Sequence, residues 1–438
     1  MVVPLAARYI AAFAGLLIVL TAARSIIGTV IVPRPVSSWL IRRVDQFWAI
    51  VFRLVTARIT DFRTRDRILA SQVAAVLLTQ IIVWLLMFFV GYALLLWPFL
   101  HLGITAAFTT AGPALWEIGS AAAHGAPAHI ILDIAALCGV ITVTLQISYL
   151  PTLYAAFNRR ETDVALLNAR AGVPSWGPEL LARTHYALGS GVSSIGTLPQ
   201  LFYDWERWAA DVTESHTTYL PLVRFRSQKP LSSWVTSLLA VLDSAALFLA
   251  LSPEQAPTVP ARLCLRSGFL CFNSIAQAMG FDMPEEPDPE SGTSLTYGEF
   301  LDAIARMRKV DFPMERQPEE AWPDFVGWRL TYERAAYAIA GAIDAVPALW
   351  SGPRRIPDPQ IPPYRPPSGR TNAGSPAGGP AAGSPAAGSP AAGTSTGSGG
   401  SSSAGSSSSG SSSSSAGSAG SAGHASAPGR DADSSTSI

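Results

Sequence analysis

Across residues 68–158 only Glu117 and Asp133 carry a charge; every other side chain there is apolar, small or neutral. Ionisable groups in such surroundings mark where chemistry would sit. Glu117, His124, His129 and Asp133 gather in one loop and the start of the next apolar stretch, with His129 and Asp133 four apart on one helical face. Carboxylates and imidazoles so placed hold a divalent metal or relay protons. They also fit solvated residues at the mouth of a membrane hairpin, and on that preferred reading no metal and no cofactor is expected.

Catalytic signatures do not compete. The chain has no G-x-S-x-G elbow, no G-x-x-x-x-G-K-[ST] loop and no H-E-x-x-H helix. Arg183, His185, Asp211, Glu214 and His216 could be drawn into an acid–base site, but nothing fixes their spacing. Tyr203-Asp204-Trp205-Glu206-Arg207 reads as an ordinary charged helix face. Cys138 falls inside an apolar stretch; Cys264 and Cys271, seven apart, share a helix face. Without His or Cys at ligand spacing they read as reduced, buried thiols. A non-enzyme is expected.

The elements that must position Glu117 are membrane helices. Hydrophobic residues make up 49% of the 438 and charged residues only 14%, low for a soluble protein. At about 1.5 Å per residue, 68–98 and 128–157 would each run roughly 45 Å as helix, against a hydrocarbon slab of about 30 Å. They are expected to tilt or protrude. Residues 9–32 are apolar apart from Arg24 and form a first span, Arg24 acting as an interfacial anchor. A signal peptide is the rival, but only Arg8 precedes the run and no cleavage site is clear.

Residues 34–67 hold eight arginines against Asp45, Asp61 and Asp66. Positive charge beside a span stays in the cytoplasm, so this loop is predicted inside and the N-terminus outside. Arg159 and Arg160 place the end of the last span inside as well. Within the basic segment Trp39, Leu40, Val44, Phe47, Trp48, Val51, Phe52 and Val55 recur at helical spacing. That pattern fits an amphipathic helix lying on anionic lipid, or equally a helix packed on a soluble domain.

From 159 to 352 the periodicity is helical and soluble, with stretches near 161–170, 178–188, 198–212, 231–251, 261–279, 297–308 and 323–343. Residues 231–252 are ambiguous. They are long enough to span with Asp243 as the sole charge, and an Asp at mid-bilayer costs about 2.5–3.5 kcal/mol. A central helix of the helical domain is preferred over a fourth span. Residues 353–438 are Pro-, Gly-, Ser- and Ala-rich, with too little apolar surface to offset ordering entropy, and are expected to be a disordered tail. The predicted units are therefore 1–33, 34–67, 68–158, 159–352 and 353–438. The fold class is all-α, with membrane helices, a re-entrant pore-type hairpin, a cytosolic helical domain and the tail.

Between the two long spans, 99–127 can form a half-helix near 106–112 with Thr105 as N-cap, then a small-residue return. Irregular backbone at membrane depth survives only if protein or water encloses it, so several copies would share an axis. The segment resembles the two-helix pore module of the potassium-channel superfamily. More closely it looks like an uncharacterised bacterial group of channel-like membrane proteins, through Tyr149-Leu150-Pro151-Thr152-Leu153-Tyr154 running on to Arg159-Arg160-Glu161, then Arg170-Ala171-Gly172-Val173-Pro174.

The resemblance implies a homotetramer in the bacterial inner membrane, with monovalent cations and the lipid bilayer as partners and no nucleic acid. It places Glu117, Ile118, Gly119 and Ser120 at the filter, where only Gly119 keeps the pattern. A ring of Glu117 carboxylates would repel itself or stay protonated, and Ala121 replaces a glycine that aims carbonyls inward. Gly139 and Pro151 take the hinge and gate positions; a close-packing contact and a tolerated kink are the plainer readings. A non-conducting membrane scaffold or sensor is the alternative function.

Overall fold

The computed structural model describes residues 4–32, 39–100, 103–115, 125–186, 194–284, 292–354 and 357–365. It is all-helical, and among the described residues the only β-type pairing is a single bridge between Ala348 and Ile361. Four helical stretches, Leu5–Ile31, Phe62–Phe99, Ala126–Ala171 and Trp234–Leu251, are long and apolar enough to cross a membrane.

Helices α1 (Leu5–Ile26), α2 (Trp39–Thr56), α3 (Phe62–Ala70) and α4 (Gln72–Leu96) come first. α1 and α4 run antiparallel, Gly15 opposite Gly91 and Ser25 opposite Trp84, whose Nε1 donates to the Ser25 hydroxyl at 3.1 Å. A Cβ on Gly15 would lie 2.5 Å from the Gly91 carbonyl oxygen. Only two glycines let these backbones approach so closely, which is how apolar helices associate without a hydrophobic drive between them.

α5 (Ile104–Leu115) is longer than the 106–112 stretch read from sequence. Pro113 is carried inside it, where it leaves the Thr109 carbonyl without its helical donor. Gly125 follows at φ 107°, and α6 runs unbroken from Ala126 to Ala171. At about 1.5 Å per residue its 46 residues span roughly 69 Å, more than twice the slab. The sequence split this element at 158/159. No breaker stands there, and a single helix carries the chain from the membrane part into the helical domain.

That domain comprises the last turns of α6 with α7 (Gly177–Tyr186), α8 (Leu198–Thr218), α9 (Pro221–Arg224), α10 (Trp234–Leu251), α11 (Thr258–Ala278), α12 (Tyr297–Arg308) and α13 (Pro318–Ala342). Val164, Leu167 and Ala171 of α6 share one core with α8, α10, α11 and α13. The ambiguity over 231–252 resolves on burial. Every residue of α10 is buried against protein, so it has no face left for lipid. Asp243 sits there because Arg329 Nη1 and the Tyr332 hydroxyl (2.9 Å) both donate to its Oδ1, and Arg329 Nη2 also donates to the Trp350 carbonyl at 2.8 Å. A buried charge so paired is tolerable where a lone one is not.

The compositional boundary at 353 falls ahead of a packed strap, residues 357–365. Asp358 pairs with Arg65 of α3, Tyr364 N donates to the Val173 carbonyl at 3.1 Å, and Arg365 reaches Glu179 of α7 at 2.9 Å. Apolar content is low there, so the order comes from ion pairs and backbone bonds that composition does not register.

Candidate functional site

The residues of interest line α5 and α6. Ala107, Ala111 and Leu115 of α5 pack on Ala128, Leu132 and Ala135 of α6 within one cluster that includes Trp84, Phe88 and Tyr92 of α4. Small residues on both sides keep the axes close. At Gly139 the approach is tightest: a Cβ there would overlap the Leu115 carbonyl oxygen. Gly139 therefore marks the point on α6 reached by the last described residue of α5. It lies 13 residues after Ala126, roughly 20 Å at about 1.5 Å per residue.

The two helices expose different surfaces from α1 and α4. On α4 the outward line is Ala74, Leu78, Ile82 and Leu86, all apolar; on α1 it includes Leu5, Ile10, Phe13, Leu17 and Leu20. α6 exposes Ile130, Ile134, Leu137, Val140, Ile141 and Ile147, but the same open face also carries Asp133, Thr144, Ser148 and Thr152. Thr21 on α1 and Thr142 on the packed side of α6 satisfy their hydroxyls on carbonyls four residues back, at 2.7 and 2.6 Å. Thr144, Ser148 and Thr152 make no such bond among the described residues. Their polarity is presented outward.

Beyond the membrane part, α6 is anchored by Arg160, a side chain with no exposure at all. Its guanidinium donates to Glu161 at 2.7 and 2.9 Å, to the carbonyls of Leu222 (2.9 Å) and Phe225 (2.8 Å), and to His216 Nε2 at 3.0 Å. Trp208 Nε1 donates to the Arg160 carbonyl at 3.1 Å. Because the Ser215 hydroxyl donates to the Asp211 carbonyl (2.7 Å), it accepts from His216 Nδ1–H (3.0 Å), which frees Nε2 to accept from Arg160. His216 is thus held neutral. Burial and then the adjacent Arg160 charge keep its pKa well below the usual imidazole value.

The filter positions Glu117, Ile118, Gly119 and Ser120, with His124, lie outside the described residues. His129 and Asp133 are both exposed near the start of α6. Gly139 is the buried contact with α5, and Pro151 is exposed on the open face of an unbroken helix. Of the acid–base set, His185 has no described side chain, and three of the others find separate partners: Arg183 pairs with Glu179, Asp211 with Arg159 at the surface, and His216 with Arg160. Burial pushes the Cys264 and Cys271 thiols up, the latter to about 12, so both are inert.

Sequence reading missed two things. The Thr144–Ser148–Thr152 row repeats every four residues and was legible as a helix face. The Arg160 anchor left no signal, because its distant partners come from α8, from α9 and from Phe225 just after it.

Compared with known proteins, the chain matches no family, no curated protein and no solved structure. Membrane placement accordingly rests on the three apolar stretches that keep exposed faces, Leu5–Ile31, Phe62–Phe99 and the apolar part of Ala126–Ala171, and the functional reading on the face that α6 presents.

Proposed function

We propose that the chain is a channel-like membrane protein that assembles as a homotetramer around α6. The single observation that carries this is the polar row Asp133, Thr144, Ser148 and Thr152 on a helix face left exposed by the described residues. Lipid would favour the all-apolar outward line of α4, Ala74, Leu78, Ile82 and Leu86. A hydroxyl-bearing face is favoured only where water or sister helices meet it. α5, seated against Gly139 and ending well along α6, has the length and position of a pore helix; the return through Glu117 to Gly125 would then be re-entrant. The basic loops beside the spans support a bacterial inner-membrane setting with the N-terminus outside and the helical domain in the cytoplasm.

Water-soluble thiol reagents test the arrangement on protein reconstituted in lipid. Thr144→Cys and Ser148→Cys react, whereas Leu78→Cys on α4 does not. Equal protection of all three overturns an aqueous axis, and a monomer by mass measurement overturns the assembly. A second reading, a non-conducting scaffold of the same shape, is favoured by Glu117 and Ala121 standing where a potassium filter has threonine and glycine. Cation flux in liposomes separates the two, with Glu117→Gln reporting on any acidic ring.

A further inference from the structure

From the outer surface of α2 we infer that this helix is a docking surface for anionic phospholipid, holding the first basic loop and the helical domain against the bilayer. The proposal rests on the membrane placement of α1 and α4 and not on conduction. α2 is divided into three strips. One is consumed by the protein: Phe52 and Thr56 are buried, Trp48 Nε1 donates to Thr79 of α4 at 2.9 Å, and Asp45 makes a two-pronged ion pair with Arg224 at 3.0 and 3.1 Å. The second, Trp39, Phe47, Ile50 and Leu54, falls on one helical face and points outward, with Phe47 56% and Leu54 70% exposed. The third, Arg42, Gln46 and Arg53, lies beside it and is also exposed.

Charge complementarity selects the occupant. Each acid of the segment is already engaged, Asp45 by Arg224, Asp66 by Arg226 and Asp61 by capping Thr64. Arg42, Arg43, Arg53, Arg58 and Arg67 are exposed and form no ion pair among the described residues. Arg43 instead lies over the Trp39 ring, 5.4 Å from its centroid, an arrangement that lets a cation stay at an apolar surface. Ile27 and Ile31 at the end of the first span are open as well, and Leu40 and Ile41 at the start of α2 join the cluster that holds Ile26. An apolar strip flanked by unpaired arginines at the end of a span fits acyl chains below and phosphate headgroups beside them.

The test places the photocrosslinker p-benzoylphenylalanine at Phe47, Leu54 or Gln46 in the full chain. The protein is reconstituted in phosphatidylcholine nanodiscs with or without phosphatidylglycerol, and adducts are read by mass spectrometry. Positions 47 and 54 are expected to give lipid adducts, several-fold enriched in phosphatidylglycerol over its share of the bilayer, and position 46 few. Combined Arg42→Gln, Arg53→Gln and Arg58→Gln, all exposed, erases that enrichment while leaving the total lipid adducts in place. Adducts to a second copy of the chain, adducts without headgroup preference, or none at 47 and 54 while Leu78 labels lipid, each overturn the inference.

Discussion

The carbonyl oxygen of Leu115 closes the last turn of α5 directly over Gly139, and no other residue type fits between them. This one contact sets the depth to which α5 follows α6. It accounts for a glycine in the middle of a helix, where glycine otherwise costs about 0.5–1 kcal/mol relative to alanine.

Gly139→Ala must therefore displace α5. Overpacking a close contact of this kind costs about 1–3 kcal/mol. Thermal unfolding in detergent should show that loss, and Gly139→Leu should lose more. Unchanged stability in both would mean that α5 does not rest on α6.

Asp243→Ala leaves Arg329 charged and buried beside α10. Asp243 and the nearby tyrosines hold that guanidinium charged despite its burial, its pKa standing well above the usual arginine value. Removing one member of a buried pair costs about 3–5 kcal/mol, and replacing both by apolar residues costs much less. Chemical denaturation should rank Asp243→Ala below the double variant Asp243→Leu, Arg329→Met. The reverse order would show that the pair is not what α10 depends on.

Glu179 accepts from Arg183, Arg306 and Arg365 at 2.7–3.1 Å. Burial alone would raise its pKa, but the three guanidiniums overcome that and hold it at about 2, below the usual 4.5. Its contribution is therefore complete above the ordinary carboxylate range and is lost only as pH falls from there toward 2. Limited proteolysis should find residues 357–365 protected at pH 5, and Glu179→Gln should expose them at that pH. Protection in the variant would sink this role.

The neutral His216 gives the opposite end of the acid range. The unfolded chain takes up a proton near pH 6.5 that the buried imidazole refuses, so stability falls as pH drops below that value. His216→Gln keeps an acceptor toward Arg160 but cannot titrate. Denaturation midpoints of the parent chain should decline between pH 7 and 5 while those of the variant stay flatter.

Much of this was legible from residue order because it depends on local repetition. Uncharged runs mark α4 and the membrane part of α6, the three-to-four-residue repeat of Leu40, Val44, Phe47, Val51 and Val55 marks α2, and breakers such as Ser252–Pro260 and Pro313–Pro318 separate the later helices. Of the two readings of α2, packing on protein is seen directly: one strip is bolted to Thr79 and Arg224, while another remains open. The filter positions 117–120 fall outside the described residues, so the structure adds nothing to that part of the expectation.

What residue order alone determined is the helical class, the apolar stretches and the basic loops beside them, since hydropathy and periodicity are properties of neighbours in sequence. Tertiary structure decided that α10 is enclosed, that Gly139 is a contact, and that Arg160 ties α6 to the segment after α9. Those outcomes rest on pairings such as Asp243 with Arg329, 86 residues apart, or Arg65 with Asp358, 293 apart. Burial of a charge is acceptable only when its partner arrives, and a partner that distant is visible only once the chain has folded.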